Sequence, residues 1–271
     1  MLGHVHELTT SNLTAHLASK AYGRANVILA ETASTNDDAR QAAAEGAVRG
    51  FTVVADAQTR GRGAHGRVWS SPRGTDLYLS IVERPDAWPG TVDPARVAPL
   101  TLAVGLGVAD AIHALVPTLD PKVKWPNDVW IGRKKCAGIL CEASSIGARM
   151  EAIILGIGLG VNRTEYEPEL ATTATSLLLE QRRTSPDRPP LDRSLALALV
   201  LEHVERWVDR FAAEGPAPIV AALEPRLALR GERVRVDEIE GELLGIAPSG
   251  ALRVYTSAGV RDLVAGTLRP A

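Results

Sequence analysis

Two clusters in this sequence have residue types and spacing suited to chemistry on an anion. The first is Gln58-Thr-Arg-Gly-Arg-Gly-Ala-His-Gly-Arg67, where three arginines and three glycines follow an apolar run. Glycine lets a backbone come close to a ligand, and arginine supplies forked donors that match carboxylates and phosphates. Alone, the segment reads equally well as a solvated basic loop or as an Arg-Gly stretch for RNA. Its isolation speaks against RNA: no repeated tract and no aromatic-bearing sheet signature accompanies it. The second cluster is Lys124-Trp-Pro-Asn-Asp128, followed by Lys135 and by Gly138-Ile-Leu140. Pro, Asn and Asp each favour turns for local reasons, so Trp-Pro-Asn-Asp by itself is an ordinary turn between strands. Two lysines flanking that turn on adjacent strand ends can neutralise a triphosphate, while Asp128 can orient magnesium or a lysine.

Other motifs point away from particular chemistries. Gly156-Ile-Gly158-Leu-Gly160 invites a dinucleotide-fold reading, yet Val-Asn-Arg-Thr follows where that fold needs the start of a helix. No Gly-x-x-x-x-Gly-Lys-Ser/Thr loop is present, so any ATP chemistry must use another cradle. His4, His6, His16, His65, His113 and His203 show no metal-ligand spacing with the cysteines; they read as surface or structural, and no structural metal is expected.

The hydrophobic pattern outlines the elements that must position these groups. Ser11 to Ala21 reads as a short capped helix and ANVILAE as a buried strand. Ser34 precedes a second helix, TNDDARQAAAEG, with acids in its first turn and Gly46 at its end. FTVVADA is a strand, GRGAHGRVWSSPRG a loop, and LYLSIVE an alternating strand. Ala95 to Leu115 suits a helix packed closely on a sheet. KVKW, CAGILCEA and MEAIILGIGLGVN give three more strands, and SLALALVLEHVERWVDRFAAEG a strongly amphipathic helix. The class is α+β. From Gly231 the texture changes to four short strands separated by turns such as Pro-Ser-Gly and Ser-Ala-Gly, which suggests a small β-barrel. It is too short to carry much core of its own, so it should dock on a large domain. The expected division is residues 1–229 and 230–271.

Composition narrows the function classes. A chain of 271 residues with 45% hydrophobic content can bury a substantial core. A net charge of -2 and a pI near 6.3 give no overall basic field to hold a polyanion, so nucleic-acid binding is not expected. Cys136 and Cys141 lie five apart in one strand, on opposite faces by parity, and cannot pair within it. That suits a reducing compartment. With no basic-then-apolar leader at the start and no run long enough to span a bilayer, the expectation is a cytoplasmic protein without membrane contact.

Taken together, Ser34-Thr-Asn36, the Gly61-Arg-Gly63 loop, Lys124-Trp-Pro-Asn-Asp128, Lys135-Cys-Ala-Gly-Ile-Leu140 and Gly156-Ile-Gly158 resemble, in order and spacing, the motifs of biotin protein ligases. The resemblance spans roughly residues 25 to 180 by motif. It implies a mixed-sheet catalytic domain flanked by helices, of the class II synthetase-like type, with a small SH3-like β-barrel at the C-terminus. The implied reaction uses ATP and Mg2+ to form biotinyl-5'-AMP, then transfers biotin to a lysine of a biotin carboxyl carrier domain. Carried over residue by residue, Lys135, Arg62 and Lys124 are catalytic. The biotin contacts are Ser34, Thr35, Asn36, Gln58, Arg62, Gly63, Ala64, Lys135, Gly138, Gly156 and Gly158. The ATP contacts are Arg62, Arg67, Trp69, Lys124, Asn127, Asp128, Lys135 and Asn162.

Two places depart from the family's pattern. Ala64 stands where the family's loop usually has arginine, with Arg60 as a possible substitute charge. Gly160 stands where the family tends to have asparagine. A lipoate ligase shares the chemistry but not the Trp-Pro-Asn-Asp and Lys-x-x-Gly-Ile-Leu motifs. A DNA-binding repressor form needs a reader domain, and only about 25 residues precede the first catalytic strand. A purely structural module explains neither lysine nor the arginine loop. The expectation is therefore a short-type ligase, monomer or homodimer.

Overall fold

The computed structural model describes residues 7–88, 97–146 and 149–271; His4, His6 and the expected helix start at Ala95 lie outside them. Seven strands form one sheet: β1 (Asn26–Leu29), β2 (Thr52–Ala55), β3 (Leu77–Glu83), β4 (Pro121–Lys124), β5 (Asp128–Ile131), β6 (Lys134–Ile146) and β7 (Arg149–Leu159). Their order is β1-β2-β3-β7-β6-β5-β4, with β1 parallel to β2 and the other neighbours antiparallel. The helices are α1 (Thr10–His16), α2 (Thr35–Ala44), α3 (Val97–Leu115), α4 (Pro168–Ala171), α5 (Leu177–Arg182), α6 (Arg193–Glu214) and α7 (Ala217–Leu223).

The sheet is covered on both faces, so β3, which reads as an alternating strand, is buried along its whole length. Leu77, Leu79 and Ile81 join the large core with α3 and α6, while Val82 packs with Ala39 and Ala43 of α2 and with Ile154. Helix α3 lies between sheet and α6, and two glycines set both distances. A Cβ on Gly105 would meet Val123 Cγ1 of β4 at 3.3 Å, and one on Gly107 would meet Val204 Cα of α6 at 2.6 Å. Opposite them, α6 buries Leu197, Leu201, Val204, Val208 and Phe211 at helical spacing.

Helix α1 is shorter than its pattern suggests. It is capped by Thr9 and stops at His16, because the buried Glu205 carboxylate accepts from the backbone N–H groups of Lys20 (2.5 Å), Ala21 (2.6 Å) and Tyr22 (3.2 Å). A tertiary anion thus takes donors that a continuing helix would need.

The C-terminal segment has five strands, not four: β8 (Arg233–Val236), β9 (Ile239–Ile246), β10 (Leu252–Thr256), β11 (Gly259–Leu263) and β12 (Leu268–Pro270). They make an antiparallel sheet in the order β11-β10-β9-β8-β12. Its Val234, Val236, Leu243, Leu252 and Val254 belong to the same continuous core as α3 and α6. A polar tie adds to the docking: Trp125 Nε1 donates to Gly250 O at 3.1 Å.

Candidate active site

The site sits on the α2 face of the sheet, at the register where three strands run short of side chains. Tyr78, Gly158 and Gly138 are cross-strand partners, and so are Ser80, Gly156 and Leu140. A Cβ on Gly156 would fall 2.1 Å from Asn36 Oδ1, and one on Gly158 would fall 2.4 Å from Trp69 Cε2. These glycines therefore make room for the side chains of α2 and of the arginine loop. Lys135 reaches the same face through a bulge: Val129 pairs with Ala137 but Trp130 with Lys135, so Cys136 has no partner across the ladder. The extra residue shifts the parity, and Lys135 and Gly138 line one cavity. It also alters the cysteine reading. Both thiols are free as expected, but both pack on the large core instead of facing opposite ways.

A small cavity of about 40 Å³ is lined by Ser34, Thr35, Asn36, Gln58, Arg62, Gly63, Ala64, Lys135, Gly138, Gly156 and Gly158, so every residue assigned above to biotin is brought together there. Its polar groups are held before any ligand arrives. Gln58 Oε1 accepts from Thr35 N at 2.9 Å, and Gln58 Nε2 donates to Ser71 Oγ at 2.9 Å. Ser80 Oγ, buried in β3, donates to Asn36 Oδ1 at 2.6 Å, and Asn36 Nδ2 donates to Glu142 Oε2 at 2.6 Å. The Asn36 amide is thus spent at both ends, which makes it a brace for α2. Ser34 occupies the N-cap position of α2, but its hydroxyl makes no cap hydrogen bond and is left to the cavity.

A larger cavity of about 550 Å³ adjoins the first, sharing Gly63, Ala64, Trp69, Asn127 and Lys135. Arg67, Trp69, Lys124, Asn127, Asp128 and Lys135 line it as expected for the nucleotide side. Asp128 stands between the two lysines, 2.6 Å from Lys135 Nζ and 3.6 Å from Lys124 Nζ. Burial pushes the Lys124 ammonium below its ordinary range; Asp128 opposes this, while Lys135 and Arg67 add to it. Five cations, Arg67, Lys124, Arg133, Lys135 and Arg163, face two carboxylates, Asp76 and Asp128. The cavity is short of negative charge. Its donor set is no dedicated magnesium site, since Asp128 is held by both lysines and Asp76 accepts from Val161 N at 2.9 Å.

Two residues assigned to the nucleotide stand outside the larger cavity. Asn162 lines neither cavity: its amide donates to Leu191 O and accepts from Leu191 N, both at 2.8 Å, and so fixes the approach to α6. Arg62 lines only the small cavity, because Asp37 and Glu142 draw it toward α2. Arg60 lines neither cavity. At Gly160 a Cβ would meet Thr175 O at 2.7 Å, which accounts for the glycine. Sequence reasoning missed Asp76, Arg163 and Tyr166. Arg163 is buried over the Tyr166 ring at 4.4 Å and donates to Ser70 Oγ at 3.2 Å and Glu167 Oε2 at 2.6 Å. No spacing signalled these: the fold of residues 160–175 over β6 brings in Arg163 and Tyr166, and Asp76 enters just before β3.

This arrangement can hold a small polar ligand beside a polyanion, with one ammonium between them. Comparison with known proteins gives the same direction. Residues 29–162 match the model of the Biotin/lipoate A/B protein ligase family. A biotin–[acetyl-CoA-carboxylase] ligase of Mycobacterium tuberculosis is 35% identical over 226 residues, covering 81% of this chain and 77% of that one. One from Paracoccus denitrificans is 33% identical over 237 residues, covering 86% and 95%. The structure of a biotin protein ligase from Aquifex aeolicus in complex with biotin and ATP superposes with a TM-score of 0.77 at 28% identity, covering 92% of this chain and all of that one. With this extent of similarity along the sequence and the fold, the chain belongs to the biotin/lipoate protein ligase family.

Proposed function

We propose that the chain is an ATP-dependent biotin protein ligase, with biotin in the small cavity and ATP in the larger one. The observation that carries this reading is that Lys135 is the charged residue lining both cavities. A carboxylate extending from the first and an α-phosphate in the second would meet at its ammonium. In the first step a biotin carboxylate oxygen bonds to the α-phosphorus and pyrophosphate leaves; in the second a lysine amine of a carrier domain attacks the mixed anhydride carbonyl and AMP leaves. Lys135 and Lys124 would stabilise the charge gathering on the phosphate oxygens, and Asp128 holds both ammoniums in place until then. Ser34, Thr35 and Gln58 would orient the polar ring of biotin, and Trp69 would wall the junction. Magnesium would enter with the triphosphate, as the carboxylates present do not form a cage for it.

We place this chemistry in residues 1–229, with 230–271 as an accessory unit that closes the nucleotide cavity through Gly266, Thr267 and Pro270. A cytoplasmic setting is in keeping with two free cysteines and, among the described residues, no helix long and apolar enough to cross a membrane. The test is incubation with ATP, magnesium and either biotin or lipoate, following pyrophosphate exchange and the mass of a carboxylase carrier domain. One added biotin, with exchange dependent on biotin and not lipoate, is expected. Lys135→Ala should slow adenylation by roughly 10²-fold or more. No mass shift on several carriers, or adenylation kept by Lys135→Ala, would reject the reading.

A further inference from the structure

On the α2 side of the small cavity, four charged side chains form one cluster. Arg62 Nη1 lies 2.7 Å from Asp37 Oδ2, and its Nη2 lies 3.4 Å from Glu142 Oε2. Arg40 holds the same two acids, through Nη1 to Asp37 Oδ1 at 2.8 Å and Nη2 to Glu142 Oε2 at 2.9 Å. Two carboxylates are therefore shared by two guanidiniums, and the guanidiniums come from different elements. Arg40 is fixed to α2, one turn from Asp37, whereas Arg62 stands between Gly61 and Gly63 on the loop. Burial would raise the Asp37 pKa, but Arg62 and Arg40 outweigh it and hold the carboxyl below its usual range. The hydrogen bond to Asp37 in turn raises Arg62. Both groups keep their charge.

We infer that Arg40 is a positioning residue whose task is to make Arg62 transferable from its own carboxylates to an anionic ligand. The inference rests on the ligase function proposed above and takes Arg62, which lines the small cavity and which the resemblance assigns to biotin and ATP, to engage the charged end of biotin or its adenylate. To do so Arg62 must leave Asp37 and Glu142. Without Arg40 that departure strands two half-buried acids side by side, and their attraction pulls Arg62 back. With Arg40 in place each acid keeps a guanidinium, and the exchange of partners is close to neutral. Asn36 gains as well, since Glu142 remains paired and continues to hold its amide.

The experiment compares KM for biotin and kcat in pyrophosphate release for the whole chain and for Arg40→Gln, Arg40→Lys, Asp37→Asn and the double variant Arg40→Gln with Asp37→Asn. These pairs are half exposed, so Arg40→Gln should raise KM by about two- to tenfold, the range of one or two screened ion pairs. The rate at saturating biotin should hold, because a trapped Arg62 weakens ground and transition states alike. Adding Asp37→Asn should bring KM back toward the parent value, and Arg40→Lys should stay near it. A structural role for Arg40 predicts instead that the double variant is at least as impaired as the single one. That result, or an unchanged KM in Arg40→Gln, overturns the inference while an active parent chain leaves the ligase reading standing. A parent chain that makes no adenylate overturns both.

Discussion

The glycine at position 158 offers the sharpest test of how the two cavities are walled. In Gly158→Ala the new methyl carbon would lie 2.4 Å from Trp69 Cε2, 2.6 Å from Nε1 and 2.7 Å from Cζ2. Contact between carbons begins near 3.5 Å, so something must withdraw by about 1 Å. The strand cannot do so, because residue 158 is paired with Tyr78 on one side and Gly138 on the other. The indole is the freer partner: it lies on the arginine loop and lines both cavities. Overpacking of this kind costs about 1–3 kcal/mol. If the ring relieves the clash by moving into the cavities, that cost appears in ligand binding, as an affinity for biotin weaker by about 5- to 150-fold. Global stability would change little. The assay pairs isothermal titration of biotin with thermal melting of the same samples. Wild-type affinity in Gly158→Ala would refute the argument, and so would a loss of melting temperature that accounts for the whole defect, because the strand would then have yielded in place of the ring.

Two further outcomes are expected. Burial first, then the charges of Lys135 and Arg67, lower the Lys124 pKa against the pull of Asp128, so this ammonium loses its proton at a lower pH than a free lysine. Deprotonation removes one cation from the larger cavity, so affinity for inorganic tripolyphosphate should fall as pH rises through the lowered pKa. Asp128→Asn removes the opposing charge and should bring that fall to lower pH; flat profiles in both proteins would reject the argument. Ala64 lies in the one-turn 3-10 segment Ala64–Gly66 and lines both cavities without offering a charge. If the missing guanidinium weakens retention of the adenylate, Ala64→Arg should lower stray biotinylation of a non-cognate lysine-rich protein, and negligible labelling by both enzymes would dispose of the idea.

What was legible in the sequence follows from the range of the interactions involved. Short motifs announce themselves because their residues act on neighbours: Lys124 and Asp128 span one tight turn, and Gln58 is set beside the loop it helps fix. Element types were legible where burial has one period, as in α6 and β8, whose valines are buried while Arg233 and Arg235 are exposed. Strand β5 was hidden inside the Trp-Pro-Asn-Asp motif, and the bulge at Cys136 depends on how β5 pairs with β6, which no local pattern encodes. The cluster of Arg40, Asp37, Glu142 and Arg62 joins residues from three separate segments, so no local pattern encodes it. Asn162 is the opposite case: it stands beside the glycine motif, while its amide is engaged by Leu191 across 29 residues.

The two cavities solve different recognition problems, and their electrostatics differ accordingly. In the small one the polar groups are mostly neutral and already bonded to one another through Thr35, Gln58, Ser80 and Asn36, so their positions are set before a ligand arrives. Such groups discriminate well, because a ligand lacking the matching donor or acceptor leaves a buried partner unpaired. In the larger cavity the cations outnumber the acids, and burial and two like charges disfavour the Lys124 ammonium against the pull of Asp128. That destabilised ammonium gains most where negative charge is greatest, which in phosphoryl transfer to a carboxylate is at the phosphate oxygens of the transition state. Lys135 lines both cavities, and Asp128 ties its ammonium to the larger one at 2.6 Å. On this argument Asp128→Asn should impair catalysis through misplaced lysines rather than through a lost acid, so kcat should fall while affinity for tripolyphosphate holds or rises at pH values below the point where Lys124 loses its proton; a parallel loss of both there would show instead that the carboxylate is needed for the cavity's shape.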